Sequence, residues 1–436
     1  MLAVATAPVL HALFADATII VDLSQDLPED ASAMASSPGA AAIDDFVSSD
    51  PLIRAAIVLE NGKVVANYHR DDVNANAPFQ VWSTTKSWTS LLVGLLVEGN
   101  LLALNETLGD IFQDDTAWMD ITDETLAFRK NVTVEELLTM LSGLISPPRR
   151  FDGTGGGSSL SDSLSYPNIG PKGDFSYLGM SNILSYVIKE RTGLTPRQYL
   201  AENVMSHLGI SESDYDWLLN ADGVEFAFYG LKSTGLQMAK FGQLFLQGGR
   251  TGPFDEHRVV SQSWVDDSFT SHSTDSNTGL SYGYLFWGFG PYMYCALGTF
   301  GQDICIDQNS GRVVVQQRDS DFSNDLQGNF LVAPIAINTT LSFATPSDDV
   351  DSSPSATPLE AANSSPSAAP LKEATSSPHD APSEDTSSSP YAATSEDTNS
   401  NLSTAPSTDT NNGFVGPDKA VHSWLLGLSI LVSIVP

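Results

Sequence analysis

The chain has 436 residues, 41% of them hydrophobic, and a formal net charge of −33 from 53 acidic against 20 basic side chains. Length and apolar content support a sizeable core, either two or three ordinary domains or one large domain with appendages. Acidity on this scale excludes nucleic acid as a partner, because phosphate backbones are held by clustered Lys and Arg; it fits a soluble protein that is secreted or exposed at a cell wall. Cys295 and Cys305 form no CxxC or CxxxC cluster, the 7 histidines are scattered without an HExxH, and no Gly-rich phosphate loop is present, so neither a metal nor another cofactor is expected.

Residues 1–20 are mostly apolar, and Ala15-Asp16-Ala17 has the small-x-small form of a cleavage site, although no Lys or Arg precedes the apolar run. Two readings stay open there: a secretory signal, or an arm packed on the domain. Residues 21–50 are polar, acidic and rich in Ala and Ser, the composition of a loose lead-in. Apolar-rich runs at 53–60 and 63–68 then flank Asn61-Gly62, which supplies the positive φ angles of a two-residue hairpin turn.

Val81-Trp82-Ser83-Thr84-Thr85-Lys86-Ser87 follows, leading into an apolar stretch from Leu91 to Gly99 that reads as a buried helix closed by glycine. Ser83 and Lys86 are three residues apart and share a face at the start of that helix. A hydroxyl is a poor nucleophile until its proton is taken. A lysine takes it only when burial or a nearby cation brings its pKa toward neutrality. The same spacing also arises by chance in a Ser-rich chain, as an exposed pair on a helix end.

Residues 100–250 read as helices and loops. Thr133 and Glu136 form a capping box for a helix ending before Gly143, Asp152 to Ser159 is a glycine-rich surface loop, and Ser181 to Arg191 has helical spacing with Gly193 after it. Thr195-Pro196 opens another helix, and Thr234 to Gln247 a further one stopped by Gly248-Gly249. Strand character returns at Tyr282 to Phe289, Tyr292 to Leu297, Asp303 to Ile306 and Arg312 to Gln316, with a closing helix at Leu326 to Ile337. Strands at both ends of a helical middle predict one antiparallel sheet assembled from both chain ends, an α+β or mixed α/β domain over 51–342 with a helical insert at about 100–250.

Residues 343–413 are Ser, Thr, Ala, Pro and acid, with Ser-Ser-Pro recurring at Pro354, Pro366, Pro378 and Pro390. Such a repeat is too polar to bury a core and predicts an extended, O-glycosylated stalk. Residues 414–436 end in an apolar tail behind the small residues Asn411, Asn412 and Gly413, the pattern of a GPI-attachment signal; a hydrophobic docking segment is the other reading. Asn105, Asn131, Asn338, Asn363 and Asn401 lie in glycosylation sequons. Together these features predict an extracellular, cell-surface protein tied to the membrane by a C-terminal lipid anchor.

Five stretches, in order, resemble the serine β-lactamase-related family, which includes class C β-lactamases, penicillin-binding peptidases, esterases and 6-aminohexanoate-dimer hydrolases. They are Trp82-Ser83-Thr84-Thr85-Lys86-Ser87 as the Ser-x-x-Lys motif, Thr133 to Leu144, Phe175-Ser176-Tyr177 with the helix to Leu194, Gly230 to Gly249, and Gly298-Thr299-Phe300-Gly301-Gln302 as the third motif. The resemblance spans roughly residues 50–320, the length of one domain with an insert. It implies a two-step acyl transfer on a small-molecule ester or amide. Ser83 is the implied nucleophile, Lys86 and Tyr177 share its proton, and backbone N–H groups of Ser83 and Thr299 hold the oxyanion. Gly298, Gly301 and Gln302 are implied substrate contacts, joined by Asn182.

Two departures sharpen the reading. The third motif has Thr299-Phe300-Gly301 where penicillin-recognising members carry a cation for the substrate carboxylate, which points to an esterase or aminohexanoate-oligomer hydrolase. The tyrosine motif is Tyr177-Leu178-Gly179, not Tyr-x-Asn, leaving Ser181 or Asn182 to supply the polar contact. The alternatives are a D-alanyl-D-alanine carboxypeptidase or β-lactamase, and a non-catalytic tethered binding or adhesion protein. Cys295 and Cys305 flank the Gly298–Gly301 turn symmetrically; they are either core thiols or a disulfide across two strands.

Overall fold

A computed structural model describes residues 19–320, apart from 37, 120, 122–124, 146–158, 167–168, 178–181 and 255–257. The expected signal up to residue 18, most of the glycine-rich loop, Leu178, Gly179 and Ser181, the closing helix, the sequons at Asn338, Asn363 and Asn401, the stalk and the anchor signal lie outside the described residues. Asn105 and Asn131 lie within them and are exposed.

The strands are β1 (Ile53–Glu60), β2 (Lys63–His69), β3 (Phe79–Gln80), β4 (Asp216–Trp217), β5 (Leu231–Ser233), β6 (Ser273–Thr274), β7 (Ser281–Tyr282), β8 (Trp287–Gly288), β9 (Met293–Gly298), β10 (Gln302–Asp307) and β11 (Arg312–Arg318). The helices are α1 (Ala31–Ser36), α2 (Pro38–Ser49), α3 (Thr85–Glu98), α4 (Leu108–Ile111), α5 (Leu126–Lys130), α6 (Val134–Leu138), α7 (Leu160–Ser165), α8 (Ile183–Thr192), α9 (Pro196–Leu200), α10 (Gly235–Leu246) and α11 (Gln262–Phe269). Eight strands form one sheet in the order β2-β1-β11-β10-β9-β8-β7-β6. The two ends of the domain meet where β1 pairs antiparallel with β11, Ile57 opposite Val315 and Val58 opposite Val314. A second sheet, β3-β5-β4, joins the segment before Ser83 to the end of the insert and was not read from the sequence, because strands of two or three residues carry too little alternation to register.

Local signals account for several of the elements. Asn61 and Gly62 both adopt positive φ, 49° and 76°, and turn β1 into β2. Thr133, Thr195 and Thr234 each cap a helix through a reciprocal box with Glu136, Gln198 and Gln237, and Gly193 ends α8 in the left-handed conformation.

Two expectations need correction. The lead-in is not loose: residues 31–49 form α1 and α2, whose Ala-rich composition favours helix. Ala33, Ile43, Phe46 and Val47 cover an apolar face of β1, β2 and β11 that includes Ile53, Val58, Val65 and Val314. The aromatic run at 282–289 is not one strand but two, β7 and β8, because Leu285 takes a positive φ of 62° and reverses the chain.

The main core lies on the other side of the sheet. There α3 is buried along nearly its whole length, with Trp88 stacked on Phe241 of α10 at 4.1 Å between ring centroids. Its C-terminal half, Leu91 to Val97, is apolar on nearly every side, as suits a helix in the middle of a domain. Cys295 and Cys305 are register partners on β9 and β10 and are joined by a disulfide. Replacing both by Ala is expected to lower the unfolding free energy by about 3 kcal/mol, the loop-closure entropy for a separation of 10 residues. Denaturant titration of the double variant measures this loss.

Candidate active site

Residues Ser83 to Ser90 place seven hydroxyl or amine side chains in the core, which is costly unless each is hydrogen-bonded. Four of the hydroxyls each fasten a different segment to the start of α3. Thr84 donates to the Gln302 carbonyl on β10, and Thr85 accepts from the Leu231 N–H of β5 (3.4 Å). Ser87 donates to the Leu285 carbonyl (2.7 Å) and Thr89 to the Ala227 carbonyl (2.8 Å). The sequence that carries the Ser-x-x-Lys pattern is therefore also the hub to which the surrounding segments are tied.

Ser83 itself lies on a 3-10 turn, Trp82–Thr84, just before α3. Trp82 has a φ of 50°, an uncommon conformation for a bulky side chain, and it sits immediately before the serine. As the second residue of a helical turn, Ser83 points its N–H out of the helix, where no preceding carbonyl of the turn reaches it.

Three of the expected groups converge. Lys86 Nζ lies 3.0 Å from Ser83 Oγ and 3.4 Å from the Tyr177 hydroxyl, and donates to the Phe228 carbonyl at 3.5 Å. It also stands 4.5 Å from the centroid of the Tyr177 ring. Ser83, Lys86 and Tyr177 are 4%, 1% and 9% exposed. Bulk water is thus largely excluded, and hydrogen bonds among these groups are stronger than in solvent. Tyr177 is set by Trp287 and Tyr282, at 5.2 and 6.1 Å between ring centroids. Burial, with Tyr177 adjacent, pushes the Tyr282 phenol well above its ordinary range, so Tyr282 is a neutral wall beside the Tyr177 phenol.

The Gly298–Gln302 turn packs on the residues that flank Ser83, namely Val81, Trp82 and Thr84. A Cβ on Gly298 would lie 2.4 Å from the Val81 carbonyl and 2.9 Å from Thr84 Oγ1, so only glycine lets β9 end this close to the 3-10 turn. The Gly301 N–H closes the turn onto the Gly298 carbonyl at 3.2 Å. Phe300, with a φ of 68°, turns its ring against Trp82 edge to face, 5.3 Å between centroids. Two bulky residues in the left-handed region thus touch each other beside the serine.

Gln302 does not face the cleft. It is fully buried, its Nε2 donates to the Phe300 and Arg318 carbonyls, and its Oε1 accepts the Arg318 N–H. The motif identified the residue but not its direction, since alternate residues of a strand point to opposite faces. Asn182 is buried as well, and its Oδ1 accepts the Ala227 N–H (3.2 Å), steadying the segment whose Phe228 carbonyl meets Lys86. Phe228 was missed in the sequence. Its only signal was the aromatic run Phe226-Ala227-Phe228-Tyr229, and a backbone carbonyl contact leaves no mark on residue type.

The profile of the Beta-lactamase family matches residues 32–334. A 6-aminohexanoate-dimer hydrolase from Paenarthrobacter ureafaciens is 22% identical over 294 residues, 60% of this chain and 71% of the relative. EstCE1, a hydrolase with promiscuous acyltransferase activity, superposes with a TM-score of 0.55 at 13% identity, covering 71% of this chain and 98% of its own. A class C β-lactamase from Rhodobacter sphaeroides superposes at 0.51 with 16% identity, covering 71% and 99%. The chain belongs to the Beta-lactamase family and has its β-lactamase/transpeptidase-like fold. It is a serine hydrolase.

Gly298→Ala is expected to push the turn away from Val81 and Thr84 and so from the 3-10 turn that carries the serine. A misplacement of about 1 Å costs on the order of 10²-fold in rate, and kcat/KM for a p-nitrophenyl ester should fall on that scale. Steady-state kinetics of the purified variant checks this, with near-wild-type turnover as the contrary result.

Proposed function

We propose that this serine hydrolase cleaves small esters or amides, in the manner of an esterase or aminohexanoate-oligomer hydrolase, through an acyl-enzyme on Ser83. The observation that carries the reading is a single buried amine, that of Lys86, within reach of both the Ser83 hydroxyl and the Tyr177 phenol. Ser83 Oγ attacks the substrate carbonyl carbon while its proton passes to the Lys86–Tyr177 pair. The oxyanion is received by the N–H groups of Ser83 and Thr299. Such donors, fixed in advance where charge develops, are worth about 3–4 kcal/mol each. Collapse expels the alcohol or amine, which takes the proton back from the pair. Water then attacks the acyl-enzyme by the same route, releases the acid and returns the proton to Ser83.

Phe300 supports the substrate class. It belongs to the Thr299-Phe300-Gly301 segment, which by motif takes the place where penicillin-recognising enzymes carry a cation, and its ring is packed on Trp82. A substrate carboxylate gains no ion pair from that position, whereas an apolar acyl chain gains contact. Similarity to an aminohexanoate-dimer hydrolase adds short amides to the candidates. D-alanyl-D-alanine peptidase or β-lactamase activity, the other enzymatic reading, lacks this support. A fluorophosphonate probe is expected to label the wild type and not Ser83→Ala, whose esterase activity should fall by about 10⁴-fold or more. In a panel of p-nitrophenyl esters, short amides and nitrocefin, esters or amides should be turned over and nitrocefin hardly at all. Nitrocefin as the best substrate would reverse the assignment.

We also propose that the enzyme is displayed outside the cell on its Ser/Thr/Pro stalk by a lipid anchor. The support is the C-terminal sequence pattern together with the Cys295–Cys305 disulfide, a bond that persists in oxidising compartments. Phosphatidylinositol-specific phospholipase C should release the activity from intact cells. Activity that stays in the cytosolic fraction sinks the proposal.

A further inference from the structure

Asp303 is 0% exposed, and nothing in the chemistry above uses it. Its Oδ1 accepts the Gly298 N–H at 3.2 Å, while its Oδ2 is buried without a hydrogen-bond partner. Directly across the β10–β11 ladder its register partner is Gln316. Cross-strand partners carry their side chains on one face, with Cβ atoms about 5 Å apart. Gln316 is 1% exposed; its Nε2 donates to the Gly301 carbonyl at 3.0 Å, and its Oε1 is also buried and unpartnered.

Two orphaned acceptors on one cross-strand pair are a double cost, and a single proton removes both. We propose that Asp303 is held as the neutral acid, donating Oδ2–H to Gln316 Oε1, and that this acid–amide clamp positions the 298–301 turn. Asp303 grips the turn by the Gly298 N–H, and Gln316 grips it by the Gly301 carbonyl. Turning the Gln316 amide over would serve an ionised carboxylate, but it would set an amide oxygen against the Gly301 carbonyl.

The surroundings agree. On β11, Arg318 is paired with Asp50 at 2.7 Å and Arg312 with Glu60 at 3.0 Å. On β10, Asp307 is engaged by Ser310 and Asn309. From β9 come Leu297 and the disulfide, which does not titrate, and Tyr68 of β2 packs in the apolar cluster of β1. Burial pushes the Asp303 carboxyl well above the usual carboxylate range, opposed only by the Gly298 hydrogen bond.

The clamp rests on the reading of the 298–301 turn as part of the active site, so its test includes a readout independent of activity. A carboxyl whose folded pKa is raised contributes stability that is complete below its unfolded pKa of about 3.9 and is lost as pH rises toward the folded value. Asp303→Asn supplies an N–H donor to Gln316 and an oxygen to Gly298, and it does not titrate. The melting temperature of Asp303→Asn relative to wild type should therefore climb steadily from about pH 4 to pH 8. At neutral pH Asp303→Asn should keep kcat/KM close to wild type, while Asp303→Ala should lose about tenfold or more, a fraction of what an oxyanion donor is worth. Should Asp303→Ala not fold, wild type and Asp303→Asn decide the matter alone. A melting difference that is flat across this range, or an Asp303→Asn that loses its activity, overturns the clamp. Ser83→Ala that is still labelled by a fluorophosphonate overturns instead the reading of the site.

Discussion

A primary amine sits almost out of water between an alcohol and a phenol, and much of the described fold serves to keep it there. Lys86 is on the first turn of a helix that is buried on nearly every side, hydroxyl-rich where it begins and apolar from Leu91 on. Its position depends on that enclosure. The helix cannot shift, because Trp88 stacks on α10 and the hydroxyls of Thr84, Thr85, Ser87 and Thr89 are spent on four separate backbone segments. Each of those segments in turn brings something to the cleft: the 298–302 turn, the small sheet, the 285 reversal that sets Trp287 behind Tyr177, and the Phe228 carbonyl. Polar residues that look anomalous in a core are the joints of the site.

The same economy appears at the other wall. Gly298 permits contact between β9 and the serine turn, and the strained Trp82 and Phe300 meet across that contact. Strain of this kind, of order 1–3 kcal/mol per residue, persists only where the surroundings over-determine it. Here the surroundings are the β9–β10 hairpin, closed by a disulfide further along the strands and by the Asp303–Gln316 pair beneath the turn. Rigidity at this wall matters because an oxyanion donor is useful only if it is in place before charge develops.

What could be read in the sequence followed the range of the signal. The Asn61-Gly62 hairpin, the threonine caps, the Gly193 stop and the β9–β11 meander are decided within a few residues, and each is in the structure where its residues point. Ser83, Lys86 and Tyr177 were legible as a set because motif order carried them, although Tyr177 is 91 residues from Lys86 and nothing local brings them together. Side-chain direction was not legible. Gln302 belongs to the motif yet turns inward, since a strand offers two faces and only packing chooses between them. The helices at 31–49 were hidden by composition: their small alanines look like linker until the sheet face they cover is known.

The central claim is that Lys86 and Tyr177 act on Ser83 as one proton-handling unit. A double-mutant cycle with Lys86→Ala, Tyr177→Phe and the combined variant, read as kcat/KM for a p-nitrophenyl ester, tests it most directly. Groups that work as a unit are grossly non-additive, so the combined variant should be hardly slower than the worse single one. Free-energy losses that simply add would mean the two side chains act independently, and the account of the site would be wrong.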